Sequence, residues 1–203
     1  MSGNKRPNEA TAARPEIPGL SELLKAAGGD SPPPVEKWDP PYCGDIGMAI
    51  AANGTWFYQN SPIGRARMVR LFSRILRCDP DGRHFLVTPV EKVDVAVADA
   101  PFLAVEMDVK GQGRDQTLTF RTNVDDLVVC GPERPLRFRW QDNSDALKPY
   151  VLVRGRLDAR VVRSVYYDLI ELAEPETGDA ADDAPLGIWS GGTWFPIAAD
   201  PSA

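Results

Sequence analysis

Between residues 84 and 140 the chain is a succession of short β-like runs parted by turn residues, and this limits its fold more than any other feature. HFLVTPVEKVDVAVA, PFLAVEMDVK, QTLTFRTN, DLVVC and LRFRW follow one another. The breaks fall at Gly111-Gln112-Gly113, Asn123 and Gly131-Pro132. Several short strands at this spacing predict an antiparallel sheet or a partial barrel. KGQGRD reads as a hairpin turn, because it matches only the first three residues of a dinucleotide glycine loop. Helical patterns flank the runs. Ser61-Pro62 reads as an N-cap followed by proline at the first helical position, with the helix carried to Arg77. YVLVRGRLDARVVRSVYYDLIELA begins as a strand and becomes a helix, with Leu157, Val161 or Val162, Val165, Leu169 and Leu172 at helical spacing. The expected class is α+β, antiparallel sheets with packed helices.

Gly-Thr-Trp-Phe occurs twice, in NGTWFYQN from residue 53 and in GGTWFPIA from residue 191. Asn53-Gly54 and Gly191-Gly192 both predict tight hairpins, the first through a type I′ turn. The repeat leads to the expectation that the two hairpins occupy equivalent places in two related domains, 41–100 and 101–200. Ahead of them, 1–40 reads as a preamble. Residues 1–18 are polar and proline-punctuated, as in a disordered tail. GLSELLKAAGG forms a short helix that Ser21 caps and Gly28-Gly29 stop. DSPPPVEKWDPPY, with five prolines in thirteen residues, is a semi-rigid linker that Trp38 pins to the body. EPETGDAADDAP, with five acids and no base, is a solvated loop.

Composition narrows the function. A net charge of −6 argues against a general nucleic-acid surface, which needs a basic stripe. No apolar run approaches the roughly 18 residues of a membrane span, and the N-terminus lacks the apolar segment of a signal peptide, so a cytoplasmic protein is expected. Cys43, Cys78 and Cys130 show no Cys-x-x-Cys spacing. His84 is the single histidine, which excludes a metal site built on several. No G-x-S-x-G is present, and Asp125-Asp126, Asp179, Asp182 and Asp183 fall in loops without a basic or histidine partner. No catalytic residue, metal or cofactor is assigned.

Three segments carry a family resemblance: CGDIGMAIAANGTWFYQNSPIGRARMVRLFSRIL, DALKPYVLVRGRLDARVVRSVYYDLIEL and GIWSGGTWFPI. They resemble the bacterial domain-of-unknown-function family numbered 1285, over about residues 18 to 198. The resemblance implies two related α+β domains, the second superficially like a pleckstrin-homology fold. It also implies a small-ligand site between them, suited to a nucleotide-like molecule, and a role in signalling.

The residues add candidates for such a site. At about 100° per residue, Met68, Leu71, Phe72, Ile75 and Leu76 fall on one arc of the predicted helix, while Arg67, Arg70, Arg74 and Arg77 form a solvent-facing basic stripe opposite. Arg65 falls on the apolar side in the first turn. There, free backbone N–H groups and a forked guanidinium together suit a phosphate or carboxylate. The alternative partner for Arg65 is an internal carboxylate such as Asp45. Trp56 and Tyr58 would flank a ring. Tyr150 and Arg154 would reach the same cleft from the second domain, with Trp140, Arg163 and Trp194 near by. Tyr166 and Tyr167 cannot both point inward, so one belongs to the core and the other to a groove or interface. The leading expectation is a cytoplasmic protein that senses a nucleotide-like or other anionic small ligand in an interdomain cleft and signals to a protein partner. The runner-up is a protein-interaction adaptor that uses the arginine stripe. A metal-dependent phosphate-ester enzyme comes third.

Overall fold

Two six-stranded sheets share one strand plan. The structure, a computed structural model, describes residues 32–140, 146–176 and 185–198. The tail, the helix expected over 19–29 and most of the acidic loop lie outside the described residues. In the first sheet β1 (Tyr42–Ile50), β2 (Trp56–Tyr58) and β3 (Ser61–Pro62) form one meander. Helix α1 (Ala66–Arg74) follows, and β4 (Leu76–Cys78), β5 (His84–Val87) and β6 (Lys92–Val97) form a second meander. β6 runs parallel to β1, giving the order β3-β2-β1-β6-β5-β4. The second sheet repeats this with β7 (Phe102–Lys110), β8 (Thr117–Thr122), β9 (Leu127–Val129), β10 (Leu136–Trp140), β11 (Leu147–Arg154) and β12 (Leu157–Val161). Here β12 closes parallel onto β7, and helix α2 (Arg163–Ile170) comes after the sixth strand instead of the third. Both sheets are therefore mixed rather than purely antiparallel, because each joins the first strand of one meander to the last of another.

A third sheet, β13 (Glu174–Pro175), β14 (Leu186–Ser190) and β15 (Thr193–Pro196), docks on the second. The Ser190 hydroxyl is fully buried, donates to the Cys130 carbonyl at 2.8 Å and accepts from the Leu118 amide at 2.9 Å. The Gln116 side-chain amide donates to the Trp189 carbonyl at 2.8 Å. The two Gly-Thr-Trp-Phe hairpins are thus not equivalent. The first joins strands one and two of a six-stranded sheet, and its counterpart in the second sheet is the β7–β8 connection. The second hairpin lies in the separate three-stranded sheet.

The turn chemistry also departs from expectation. Only Gly54 of the first turn has positive φ, at +80°, and its amide donates to Ala51 O at 2.8 Å while Ala51 N donates to Thr55 O at 2.9 Å. This is a three-residue loop ending in a left-handed glycine. Type I′ backbone, with two consecutive positive φ values, occurs instead at Gln59-Asn60 and at Gly191-Gly192. The Gln59-Asn60 turn explains why Ser61 does not cap a helix: it folds Ser61-Pro62 back against Tyr58 and Phe57 as β3. Arg65 becomes the N-cap residue, with extended backbone and no side-chain cap bond. The helix stops at Arg74 because Leu76, Arg77 and Cys78 pair with Leu86, Phe85 and His84.

Alternation fills the cores. β8 buries Leu118, Phe120 and Thr122 and leaves the intervening residues half-buried, the period-two pattern of a sheet with one packed face. Arg77, only 7% exposed, holds the proline-rich linker. Its Nη1 donates to Val35 O at 2.9 Å and Trp38 O at 2.7 Å, and its Nε pairs with Asp79 Oδ1 at 2.6 Å. The expected solvent-facing stripe therefore ends early: Arg67 and Arg70 are exposed, Arg74 is half-buried and Arg77 is buried. The reason is that Arg77 stands on a strand rather than on the helix.

Candidate functional site

Several residues expected in one cleft are held elsewhere. Trp56 and Tyr58 face inward together on β2; Trp56 is 1% exposed and stacks on Phe72 with centroids 6.3 Å apart. Arg65 faces solvent at the helix N-cap and not a cleft. Trp194 is half-buried, donating its indole N–H to Glu174 O at 3.3 Å. Arg154 ties the domains together: Nη1 meets Asp126 at 2.7 Å, Nη2 donates to Ser73 O at 2.5 Å, and the guanidinium lies 5.1 Å from the Phe102 ring centre. Asp125 likewise has partners, Arg70 at 2.5 Å and Arg121 at 3.0 Å. The pair Asp125-Asp126 is thus an arginine-linked seam rather than an unpartnered acidic loop.

Trp140 and Arg163 do come together. They line a groove of about 580 Å³ between the edge of the second sheet and α2, with Lys148, Arg160, Tyr166 and Tyr167. Each element contributes by its periodicity. Trp140 ends β10 and is 61% exposed. Arg160 stands between buried Ala159 and Val161 near the end of β12, half-exposed beside two core positions. On α2, Val165 and Leu169 are buried, which leaves Arg163 and Tyr167 outward one turn apart. Arg163 Nε donates to the Tyr167 hydroxyl at 2.9 Å, and its guanidinium lies 5.7 Å from that ring's centre. Tyr166 packs on the core and meets Tyr167 edge-on, with centroids 6.0 Å apart. Among the described residues the lining holds three cationic side chains and no acid.

Behind this lining lies Asp99, on the connector between the two six-stranded sheets. Its Oδ1 accepts from the Tyr150 hydroxyl at 2.7 Å. Its Oδ2 is 2.8 Å from Arg160 Nε and 3.9 Å from Lys148 Nζ. Both Oδ2 and Arg160 Nε are buried, and neither makes an aligned hydrogen bond. The contact is therefore one of charge more than of directed bonding. Arg160 Nη2 also donates to Ala52 O, in the first hairpin, at 2.7 Å. Burial, and then the hydrogen bond to Asp99, push the Tyr150 hydroxyl above its usual range. Lys148, Arg160 and Asp99 escaped the sequence reading. The period-two pattern of β12 marks Arg160 as lying off the core face, but nothing local marks Asp99 as its neighbour.

The remaining reactive groups are quiet. Cys78 and Cys130 are buried and Cys43 is exposed, all as free thiols. Burial pushes the Cys130 thiol up to about 12. His84 is half-buried, and desolvation lowers its pKa against the opposing pull of Asp158. Among the described residues no three His, Cys, Asp or Glu side chains converge as a metal site. No helix among them is long and apolar enough to cross a membrane.

A two-module protein with mixed sheets, packed helices and one cationic, aromatic-lined groove is the class that the fold and site define. Residues 33–100 match the family model described as the N-terminal domain of unknown function DUF1285, and residues 101–197 match the model of the DUF1285 C-terminal domain. The chain belongs to the DUF1285 family. It is similar to the solved structure of a DUF1285 family protein from Silicibacter pomeroyi DSS-3, with 45% identity, a TM-score of 0.81, and coverage of 92% of this chain and 98% of that one. A DUF1285 family protein from Shewanella baltica OS155 matches at 29% identity and a TM-score of 0.49, over 62% of this chain and 91% of that one. No curated protein matches the chain.

Proposed function

We propose that this protein binds a small anionic, ring-containing ligand, nucleotide-like in size, in the groove between Trp140 and α2, and passes the bound state to a protein partner as a cytoplasmic signalling component. The observation that carries the reading is the lining itself: among the described residues, three cations and no acid beside Trp140, Tyr166 and Tyr167, in a chain of net charge −6. Exposed aromatic faces suit a ring, and lysine and arginine suit a phosphate or carboxylate. The volume falls within the ordinary range for small-molecule sites, about 300–1,000 Å³. The pleckstrin-like character of the second module and an origin of the two sheets by duplication belong to the same proposal, and the shared strand plan supports the duplication.

A thermal-shift screen against nucleotides and amino acids tests this. A ligand at 100 times its Kd stabilises by about 2.7 kcal/mol, which raises Tm by roughly 5–10 °C at this chain length. Lys148→Gln combined with Arg163→Gln should remove the shift and leave the unliganded Tm nearly unchanged. The reading fails if no anionic aromatic compound moves Tm.

A second reading has its own support. No acid occurs between Asp45 and Asp79, where five arginines do, and α1 displays Arg67 and Arg70 outward. An adaptor that docks an acidic partner on α1 would lose that partner on Arg67→Glu while the groove still bound ligand.

A further inference from the structure

We propose that Asp99 is an internal competitor of the ligand: an anion entering the groove draws Lys148 and Arg160 away from Asp99 and so loosens the seam between the two domains. This rests on the groove reading above and adds a positioning residue to it. Three observations carry it. Asp99 stands on the interdomain connector, outside the groove lining, yet among the described residues its Oδ2 is the carboxylate oxygen placed against two of the three lining cations, Arg160 at 2.8 Å and Lys148 at 3.9 Å. Neither Oδ2 nor Arg160 Nε spends its hydrogen-bonding capacity on the other, since both are buried without an aligned bond. An incoming anion that offers a well-directed acceptor therefore competes with a contact that lacks one. Finally, Arg160 is shared: the guanidinium that faces the groove also donates to Ala52 O of the first domain at 2.7 Å. Moving it toward a ligand gives up a bond across the seam.

The other end of the seam is independent of the groove. There Arg154 donates to Ser73 O, and Arg70 pairs with Asp125. Release at the Arg160 end therefore leaves the domains joined at the Arg154 end, which makes the motion an opening rather than a separation. Ligand and seam are coupled reciprocally, because whatever weakens the hold of Asp99 on the cations must strengthen their hold on an anion.

Isothermal titration with phenyl phosphate tests this on the full chain. Asp99→Asn should tighten binding at least about fivefold, the low end of ordinary coupling between sites. Tyr150→Phe should weaken it, because Asp99, no longer pinned through Oδ1, can turn more fully onto Arg160. A merely structural Asp99 would move both variants in the same direction. Hydrogen exchange supplies the second readout: in the wild type, phenyl phosphate should speed exchange of the amides over 51–55, and in Asp99→Asn these amides should already exchange fast without it. Equal or weaker binding by Asp99→Asn, or equal or tighter binding by Tyr150→Phe, overturns the inference and leaves the groove reading intact. If phenyl phosphate binds neither wild type nor Asp99→Asn, or binds Lys148→Gln/Arg163→Gln as it binds the wild type, the groove reading itself fails and this inference goes with it.

Discussion

The same four residues, Gly-Thr-Trp-Phe, end up with opposite faces inside. In the first hairpin Trp56 is buried and Phe57 half-buried; in the second Phe195 is buried and Trp194 half-buried. In both copies threonine is the first residue after the loop, so loop length does not decide the outcome. The partner strand does. β1 buries Met48 and Ile50, and Trp56 sits opposite Ile50. β14 buries Ile188 and Ser190 completely, and Phe195 sits opposite Ile188. Trp194, one residue out of phase, is left on the other face and lies across Gly187. A β-carbon at Gly187 would come within 2.3 Å of the Trp194 ring and 2.6 Å of Phe195 O. The recurring tetrapeptide therefore fixes neither the turn, a three-residue loop in one copy and a two-residue type I′ turn in the other, nor the face; the buried isoleucine opposite, Ile50 or Ile188, fixes which aromatic enters the core.

The largest expected effect sets the two tryptophans against each other. Trp56→Ala should cost about 3–5 kcal/mol in urea unfolding, as for a large side chain removed from a packed core. Trp194→Ala should cost about half that or less, and equal costs would break the comparison. Next comes the glycine under Trp194. Gly187→Ala overpacks the hairpin and should cost about 1–3 kcal/mol. In a double-mutant cycle with Trp194→Ala, part of that cost should vanish, leaving a coupling of about 1 kcal/mol or more. A coupling of zero would mean that the carbonyl of Phe195, not the ring, is the obstacle.

The smallest effect concerns acid. His84 pairs with Cys78 across β4–β5, and its folded pKa lies below the ordinary 6.5 because burial disfavours the cation. Between those two values the unfolded chain holds more proton than the folded one, so stability present above about pH 6.5 is lost as pH falls through this window. His84→Gln should flatten that part of the profile. The same slope in wild type and variant would place the acid sensitivity elsewhere. Because His84 belongs to the first sheet, the test also asks which of the two modules gives way first in acid.

The sheet content was legible because alternation writes itself locally, as β8 shows with its strict in-out pattern. The strand plan was not, since nothing in β1 announces that β6 will lie parallel beside it. Ser61-Pro62 misled for a physical reason: a capping signature is weaker than a ladder, and the Gln59-Asn60 turn delivers those residues to one. Arg77 looked like the end of a helical stripe because its partners, the carbonyls of Val35 and Trp38, are about forty residues away in the chain. At the site, Trp140 and Arg163 were readable as an exposed aromatic and a guanidinium near the strand-to-helix junction. Arg65, Trp56 and Tyr58 are close in sequence, but the inward face of β2 and the N-cap position of Arg65 separate them.

The parallel closure of each sheet bears on how the chain reaches this state. Tyr42 must find Lys92, and Phe102 must find Ala159, before either set of two meanders becomes one sheet. Local turns can form the meanders within microseconds, but these closing contacts join the two ends of each module and carry the full entropy of the intervening loop. Folding should therefore be slow for a chain of this size, with high contact order in both halves, and each module should close all at once or not at all. A nascent chain would hold the first meander of a module open, edge exposed, until the last strand of that module had been synthesised.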